Sequence, residues 1–421
     1  MKILRFDQPD FENALSSALA ASSLFDPQIE ERVRAVIVGV QSRGDEALLE
    51  FTERFDRVKL TATQLRVTAP TPTVTPTLRT AIATANRNIA AFARRGLSKP
   101  WTMRNAQGGR VGEKFDPIQR VGIYIPGGTA PLVSTALMTI TLAKVAGCRE
   151  IVACSPSTDP NLLYAMHTAG ATEIYRVGGA QAIAALAFGT ATIPRVQKIF
   201  GPGNAYVVAA KRLLFGYAAM DLLPGPSEVL ILADDTANPN FIAADLIAQA
   251  EHGSGHERVW LVTTSERVLN ETQEAACGQV AGLKRADLIR RAIENHCVLV
   301  LAKDLRQAVA IANRFAPEHL EIMTKHPAAI AKQITTAGAM FLGPWTPTVV
   351  GDYVAGPSHT LPTGGAGKGL PGLTVDQFQR RTSVIEYSPA ALKKSLPTLE
   401  AFAAVEGLDA HAASARMRLE K

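Results

Sequence analysis

The sequence predicts an α/β protein made of two Rossmann-like, doubly wound parallel-sheet units with small helical extensions at its N- and C-terminal ends. Three observations carry that reading. From Val121 onward, strand-like runs at 121–125, 151–154, 174–177 and 198–200 alternate with helix-like runs at 133–146, 162–169, 180–188 and 205–214. A second series repeats the alternation, with strands at 229–233, 259–263, 298–302, 320–324 and 339–342 and helices between. Three strand-to-helix turns of the first series carry glycine: Tyr124-Ile-Pro-Gly-Gly128, Gly178-Gly-Ala-Gln181 and Gly201-Pro-Gly-Asn204. Such turns bring backbone N–H groups to the carboxyl edge of a sheet, where α/β folds bind nucleotides. None matches G-x-G-x-x-G, and glycine at a turn is often only a steric requirement, so a structural role stays open for each.

In chain order, residues 3–6 read as a short strand and Asp10 opens a helix. Residues 27–55 continue as amphipathic helix, with Val33, Val36, Ile37, Val40, Ala47 and Leu48 at helical spacing. Residues 77–93 form another helix. Residues 101–121 are short and glycine-punctuated, as in a β-hairpin leading into a new unit. The last fifty residues, rich in Ala and Leu, read as a small helical tail.

The stretch Leu223–Gly253 joins the two series. A Pro-Gly-Pro turn leads to Ser227 and Glu228, then to the aliphatic strand 229–233. Asn238 is the N-cap of the next helix, Pro239 its first residue, and Gly253 stops it near His252. Gln249 and His252 are three apart and share one face, away from the apolar stripe of Ala243, Leu246, Ile247 and Ala250. His252 is open to two readings, a metal ligand or a surface imidazole at the negative end of the helix dipole. Pro317 ends a helix at Ala316 and stiffens the turn that carries Glu318 and His319. That pair suits acid/base chemistry, but an exposed polar turn has the same composition. Asp352, Ser358 and His359 lie in a long, irregular Gly/Pro/Thr-rich segment of the kind that is either functional or disordered. In the tail, Asp409 reads as a helix cap with His411 exposed beside it.

Composition bounds the function classes. A chain of 421 residues, 47% hydrophobic and 19% charged, suggests two to four ordinary globular domains. The net charge of +6 comes from scattered basic residues with no run of five, which argues against a nucleic-acid stripe. Four cysteines without CxxC spacing, in apolar segments, read as buried free thiols of a reducing cytoplasm. The N-terminus lacks the apolar core of a signal peptide, and no apolar run reaches 18 residues.

Nine stretches taken together resemble the histidinol dehydrogenase family: GIYIPGG, GGAQAIAALAFGT, IFGPGNAYV, GPSEVL, AQAEHG, APEHLE, GDYVAG, SHTLPT and EGLDAH, in the family's order. The resemblance covers roughly residues 30–420 and implies a zinc- and NAD-dependent enzyme of histidine biosynthesis. It places Gln249, His252, Asp352 and His411 on the zinc ligands and Glu318 and His319 on the catalytic pair. Ser227, His359 and Glu406 fall on residues that hold substrate, and Tyr124, Gln181 and Asn204 on the NAD-contacting turns. Gln249 is a ligand that the usual zinc donors would not suggest.

Pro224, where the family often has Ala, and the loop Gly367–Gly372 depart from the pattern without removing a chemical group. The implied reaction oxidises L-histidinol to L-histidine through an aldehyde, with two NAD per turnover. The resemblance also implies a homodimer whose tail completes the partner's site. The expected division is an N-terminal extension at 1–25 and an NAD-binding unit at 119–225. The larger unit, 26–118 with 226–372, would carry metal and catalytic residues, and 373–421 would be the tail. Two rival readings remain open, a dehydrogenase of the same fold for another alcohol and a non-catalytic binding protein. The retained ligand set and Glu-His pair argue against the second.

Overall fold

In the computed structural model, residues 1–20, 26–68, 71–127 and 131–420 are described. Gly128 of the first glycine turn and residues 21–25 of the expected N-terminal extension lie outside them. The two expected parallel sheets are present. One has six strands, in the order Lys2–Arg5, Cys297–Leu301, Arg258–Thr263, Glu228–Ala233, His319–Met323 and Ala339–Leu342. The other has five, in the order Glu173–Arg176, Glu150–Ser155, Arg120–Tyr124, Lys198–Phe200 and Ala219–Met220. In the five-stranded sheet the first strand lies at the centre and successive strands are added to one side, then to the other; the six-stranded sheet grows the same way from Glu228–Ala233, with Lys2–Arg5 joined at one edge. Each sheet therefore has a switch point, between Arg120–Tyr124 and Lys198–Phe200 and between Glu228–Ala233 and His319–Met323.

The central strand Glu228–Ala233 is buried along its whole length. Val229, Ile231 and Ala233 meet Ile242, Leu246, Val268 and Ile289 on one face. Leu230 and Leu232 meet Phe11, Leu15, Ile311 and Phe315 on the other. Such alternation between two apolar faces is what a parallel strand sandwiched by helices requires. The capping expected at Asn238 is present: its side chain accepts from the Asn240 N–H at 2.9 Å, with Pro239 first in the helix Pro239–Ala250.

Several local expectations change. The first twenty residues are not a separate extension, because Lys2–Arg5 is an edge strand of the six-stranded sheet and Phe11 and Leu15 join its core. The amphipathic run at 27–55 is two helices, Pro27–Arg43 and Asp45–Asp56, broken where Gly44 takes φ +55°. These helices and Pro76–Gly96 pack on the five-stranded sheet, through Val33, Val36, Leu48, Ile82 and Ile89. The expected division had grouped 26–118 with the catalytic unit; amphipathic spacing identifies an apolar face but not the sheet that covers it.

The hairpin Trp101–Arg104 and Arg110–Pro117 gains a third antiparallel strand, Gln379–Glu386, from what read as a purely helical tail. The tail then continues as helices Pro389–Glu406 and Asp409–Arg416, the second capped at Leu408 rather than Asp409. Cys148, Cys154 and Cys297 are buried thiols as expected, whereas Cys277 is exposed on its helix.

A buried ion pair fixes the end of the first unit. The Lys211 ammonium pairs with Asp221 and donates to the carbonyls of Gly201 (2.9 Å) and Leu222 (2.7 Å). Asp221 accepts the Gly201 N–H at 2.8 Å. Removing one partner leaves an uncompensated buried charge, so Lys211→Met is expected to cost about 3–5 kcal/mol of unfolding free energy. Urea unfolding checks this; a midpoint equal to wild type would contradict it.

Candidate active site

The carboxyl edge of the five-stranded sheet gathers the three glycine turns. Gly201, at φ +112°, sits so close to the end of the first strand that a Cβ would stand 2.0 Å from the Tyr124 carbonyl oxygen. The Tyr124 hydroxyl accepts the Gly179 N–H at 3.2 Å, which joins the first turn to the second. Burial pushes this phenol up to about 12, so it is neutral there. Gln181 is buried, with Nε2 3.4 Å from the Asp56 carboxylate and Oε1 unpartnered. Asn204 caps the helix Ala205–Leu213 by accepting from the N–H groups of Tyr206 and Val207, both at 3.1 Å. That capping leaves its amide NH2 directed elsewhere. Tyr124, Gln181 and Asn204 thus share one sheet edge. A buried, half-unsatisfied amide at the carboxyl edge of such a sheet is a suitable place for a dinucleotide.

The six-stranded sheet is used from its other end. Glu228 and His319 are the first residues of adjacent strands, so the Glu318–His319 turn lies at the amino edge. Ala316 caps the preceding helix with a left-handed φ of +53°, which turns the chain sharply into Pro317 and Glu318. Glu318 Oε2 accepts the Glu228 N–H at 2.8 Å, and His319 Nδ1 lies 3.1 Å from the Glu228 carbonyl. His319 Nδ1 is also 3.5 Å from Glu318 Oε2, and its Nε2 is 3.7 Å from Asp352 Oδ1. Burial acts to lower the imidazole, but the Glu318 and Asp352 carboxylates outweigh it and lift His319 to about 9.

Asp352 comes from the short helix Thr348–Tyr353, whose first N–H is held by Glu321 at 2.8 Å. Its Oδ1 is 3.8 Å from His359 Nδ1, and the other nitrogen of His359 is 3.0 Å from the Thr135 hydroxyl. Thr135 belongs to the helix Val133–Ala146 of the first unit, so this contact ties the two edges together. Burial lowers His359, against the pull of Asp352. The charge of His252 acts on His359 as well, which brings the end of the helix Pro239–Ala250 to the same place.

Gln249 is 1% exposed, and neither its Oε1 nor its Nε2 has a hydrogen-bond partner. His252 Nδ1 is 3.1 Å from the Gln249 carbonyl, which leaves Nε2 for another partner. A buried amide with both polar atoms unsatisfied is costly unless something binds it. Gln249, His252 and Asp352 therefore offer an amide oxygen, an imidazole nitrogen and a carboxylate oxygen, which fits a divalent cation of the zinc type. Among the described residues no three His, Cys, Asp or Glu side chains cluster closely enough to hold a metal. The expected set depends on an amide and on His411.

Gln249, His252, Glu318, His319, Asp352 and His359 are brought to one region, with Ser227 in the turn next to Glu228. Glu406 and His411 are not. Both are exposed on the tail, where the His411 N–H donates to the Leu408 carbonyl at 2.9 Å. Three further residues bear on the site without having been assigned a role from sequence: Asp56, Thr135 and Glu228. A carboxylate opening an apolar strand was a legible signal for Glu228; Asp56 and Thr135 carried none.

The chain matches the family model described as histidinol dehydrogenase over residues 20–419. It is 42% identical to histidinol dehydrogenase of Syntrophotalea carbinolica, covering 100% of this chain and 99% of that protein. Identity to the enzyme of Geobacillus kaustophilus is 44%, over 93% of this chain and 95% of the relative. The crystal structure of histidinol dehydrogenase from Elizabethkingia anophelis superposes with a TM-score of 0.94 at 34% identity, covering 100% of this chain and 98% of that one. With matches of this length and identity on the same fold, the chain belongs to the histidinol dehydrogenase family.

Proposed function

We propose that this oxidoreductase converts L-histidinol to L-histidine through L-histidinal, using one zinc ion per chain and two NAD per turnover, as the last step of histidine biosynthesis. What supports the reading most is Gln249, a buried amide with no partner of its own, three residues before His252 at the end of the same helix. Gln249, His252 and Asp352 would hold the metal. Zinc, when bound, supplies a Lewis-acid anchor for the substrate and offsets the negative charge of Asp352. NAD supplies the hydride acceptor, over turns lined by Tyr124, Gln181 and Asn204.

The chain's own residues divide the proton work. His319 Nδ1 faces the Glu228 carbonyl, so once a cation offsets the Asp352 carboxylate that helps to raise this imidazole, the remaining proton is held on Nδ1 and Nε2 is the basic nitrogen. Nε2 is buried and unpartnered, so it is free to take the proton of the substrate alcohol as hydride leaves carbon. The second oxidation needs the aldehyde hydrated. Glu318 commits Oε2 to the Glu228 N–H, and its other oxygen is placed to take a proton from the attacking water. His359, steadied by Thr135, and Ser227 bind the substrate's polar groups.

A homodimer completes the site. The helical tail exposes Phe402 (64%), Val405 (88%) and Met417 (71%), an apolar surface that one chain leaves uncovered. Seated on a second copy, the tail would deliver the partner's Glu406 and His411, a substrate contact and the fourth ligand. No helix among the described residues is long and apolar enough to cross a membrane, and the buried thiols suit a cytoplasmic enzyme.

The overall reading is tested by stoichiometry: two NADH should form per histidinol consumed, and a ratio of one would overturn the four-electron reaction. Asp352→Ala is expected to weaken zinc by at least about 100-fold and abolish activity with it. Metal analysis of that variant finding one zinc per chain would remove Asp352 from the ligand set. Glu318→Gln should slow histidinal oxidation more than histidinol oxidation, whereas His319→Asn should slow both. Separate rates from the two substrates decide, and equal losses for Glu318→Gln would contradict its role. Finally, His252→Ala and His411→Ala chains, each inactive alone, are mixed after reversible unfolding. A shared site puts both lesions in one site of each mixed dimer, and random pairing then restores about a quarter of wild-type activity. Proven heterodimers without activity would mean that His411 serves its own chain.

A further inference from the structure

We propose that Glu228 is a positioning residue: its buried carboxylate, clamped by Arg258 and the Gly364 N–H, sets where Glu318 and His319 stand. The inference rests on the roles given above to those two residues. The backbone of Glu228 receives both of them, since its N–H donates to Glu318 Oε2 (2.8 Å) and its carbonyl faces His319 Nδ1 (3.1 Å). One peptide segment therefore fixes the orientation of the carboxylate and the tautomer of the imidazole. Any shift of residue 228 moves both groups together.

The side chain of the same residue is built as an anchor. It is 2% exposed, and its Oε1 accepts Nη1 of Arg258 at 3.0 Å. Its Oε2 accepts the Gly364 N–H at 3.1 Å. Arg258 is itself held, with Nη2 donating to the Ala18 carbonyl at 2.9 Å and its guanidinium 4.4 Å from the Phe315 ring. Gly364 ends the loop that carries His359, and the neighbouring Thr363 hydroxyl accepts the Gly225 N–H. Residue 228 thus joins the three parts: its carboxylate holds a neighbouring strand and the substrate-side loop, and its backbone holds the Glu318–His319 turn.

A residue needed only to start a buried strand would be apolar, because burying an ion pair gains little stability over well-packed hydrophobic groups. What the pair adds is direction, and proton transfer is sensitive to it: a displacement of about 1 Å can cost about 100-fold in rate. The carboxylate is turned to Arg258 and Gly364, so it acts through Glu318 and His319 rather than on the substrate.

The test uses the zinc-loaded, full-length enzyme, with rates normalised to bound zinc so that misfolded chains do not count. Glu228→Gln keeps the shape and the acceptor for Gly364 but removes the charge. It is expected to lower kcat per zinc about 30- to 100-fold with both histidinol and histidinal, while KM for NAD stays within about twofold. Arg258→Lys keeps the charge but loses the two-pronged grip, and about a tenfold loss is expected. The double variant Glu228→Gln/Arg258→Met removes both charges; it should recover melting temperature but not kcat. If kcat per zinc returns along with stability, the pair is structural only and the proposal falls. It also falls if Glu228→Gln keeps wild-type kcat per zinc. Should Glu228→Gln not fold, Arg258→Lys decides alone, and an unchanged kcat per zinc refutes the proposal. Wild-type enzyme that forms no NADH from histidinol would instead overturn the proposed function.

Discussion

The strand Glu228–Ala233 is closed to water on both faces, so all its backbone groups must be paired inside the sheet. That constraint organises the rest of the six-stranded unit. Neighbours Arg258–Thr263 and His319–Met323 are locked in register, with Val229 opposite both Val259 and His319. A one-residue slip would exchange the apolar sets facing the two helical layers, so the register is strongly enforced. The same enforcement places the N–H and carbonyl of Glu228 directly beside Glu318 and His319. The geometry of the Glu318–His319 turn is inherited from the pairing of a buried sheet, whose rigidity exceeds that of a loop.

The two sheets have the same kind of strand order but are used from opposite ends. The first presents its carboxyl edge, where helices begin and backbone N–H groups are free, which suits a phosphate-bearing coenzyme. The second presents its amino edge, where the helix Pro239–Ala250 ends and acidic and imidazole side chains collect. Turning the two edges together puts backbone donors on one side and carboxylate, amide and imidazole groups on the other. The Thr135–His359 contact at 3.0 Å lies on that seam. Chemistry between a hydride acceptor and a bound alcohol needs both sets within reach.

Carboxylates outnumber the cationic groups that face them at the site. Burial raises Glu228 to about 7, reinforced by the nearby Glu318 and opposed by Arg258. His319 is lifted by two carboxylates, and Asp352 stands between two imidazoles. Such a set has excess negative charge that a cation would satisfy. Farther along the same strand and helix, burial raises Glu321 and Asp245 as well, and Glu321 also holds the first N–H of the helix carrying Asp352. The network therefore extends from the strand to the proposed ligand without leaving the protein interior.

The sequence by itself determined the two alternating β/α series, because strand and helix periods are local properties of side-chain order. The nine ordered motifs likewise carried the family and, with it, the expected identity of Gln249 as a ligand. No local signal in Gln249 shows that both ends of its amide are buried and unpartnered; that follows from the helix being pressed against its neighbours. Tertiary structure also decided which sheet the helices at 27–96 cover and that Gln379–Glu386 is a strand paired with Arg110–Pro117. It brought Thr135 to His359 across 224 positions of sequence. Periodicity reports that a segment has an apolar face, whereas the partner of that face is chosen by the whole chain, through contacts between residues far apart in sequence.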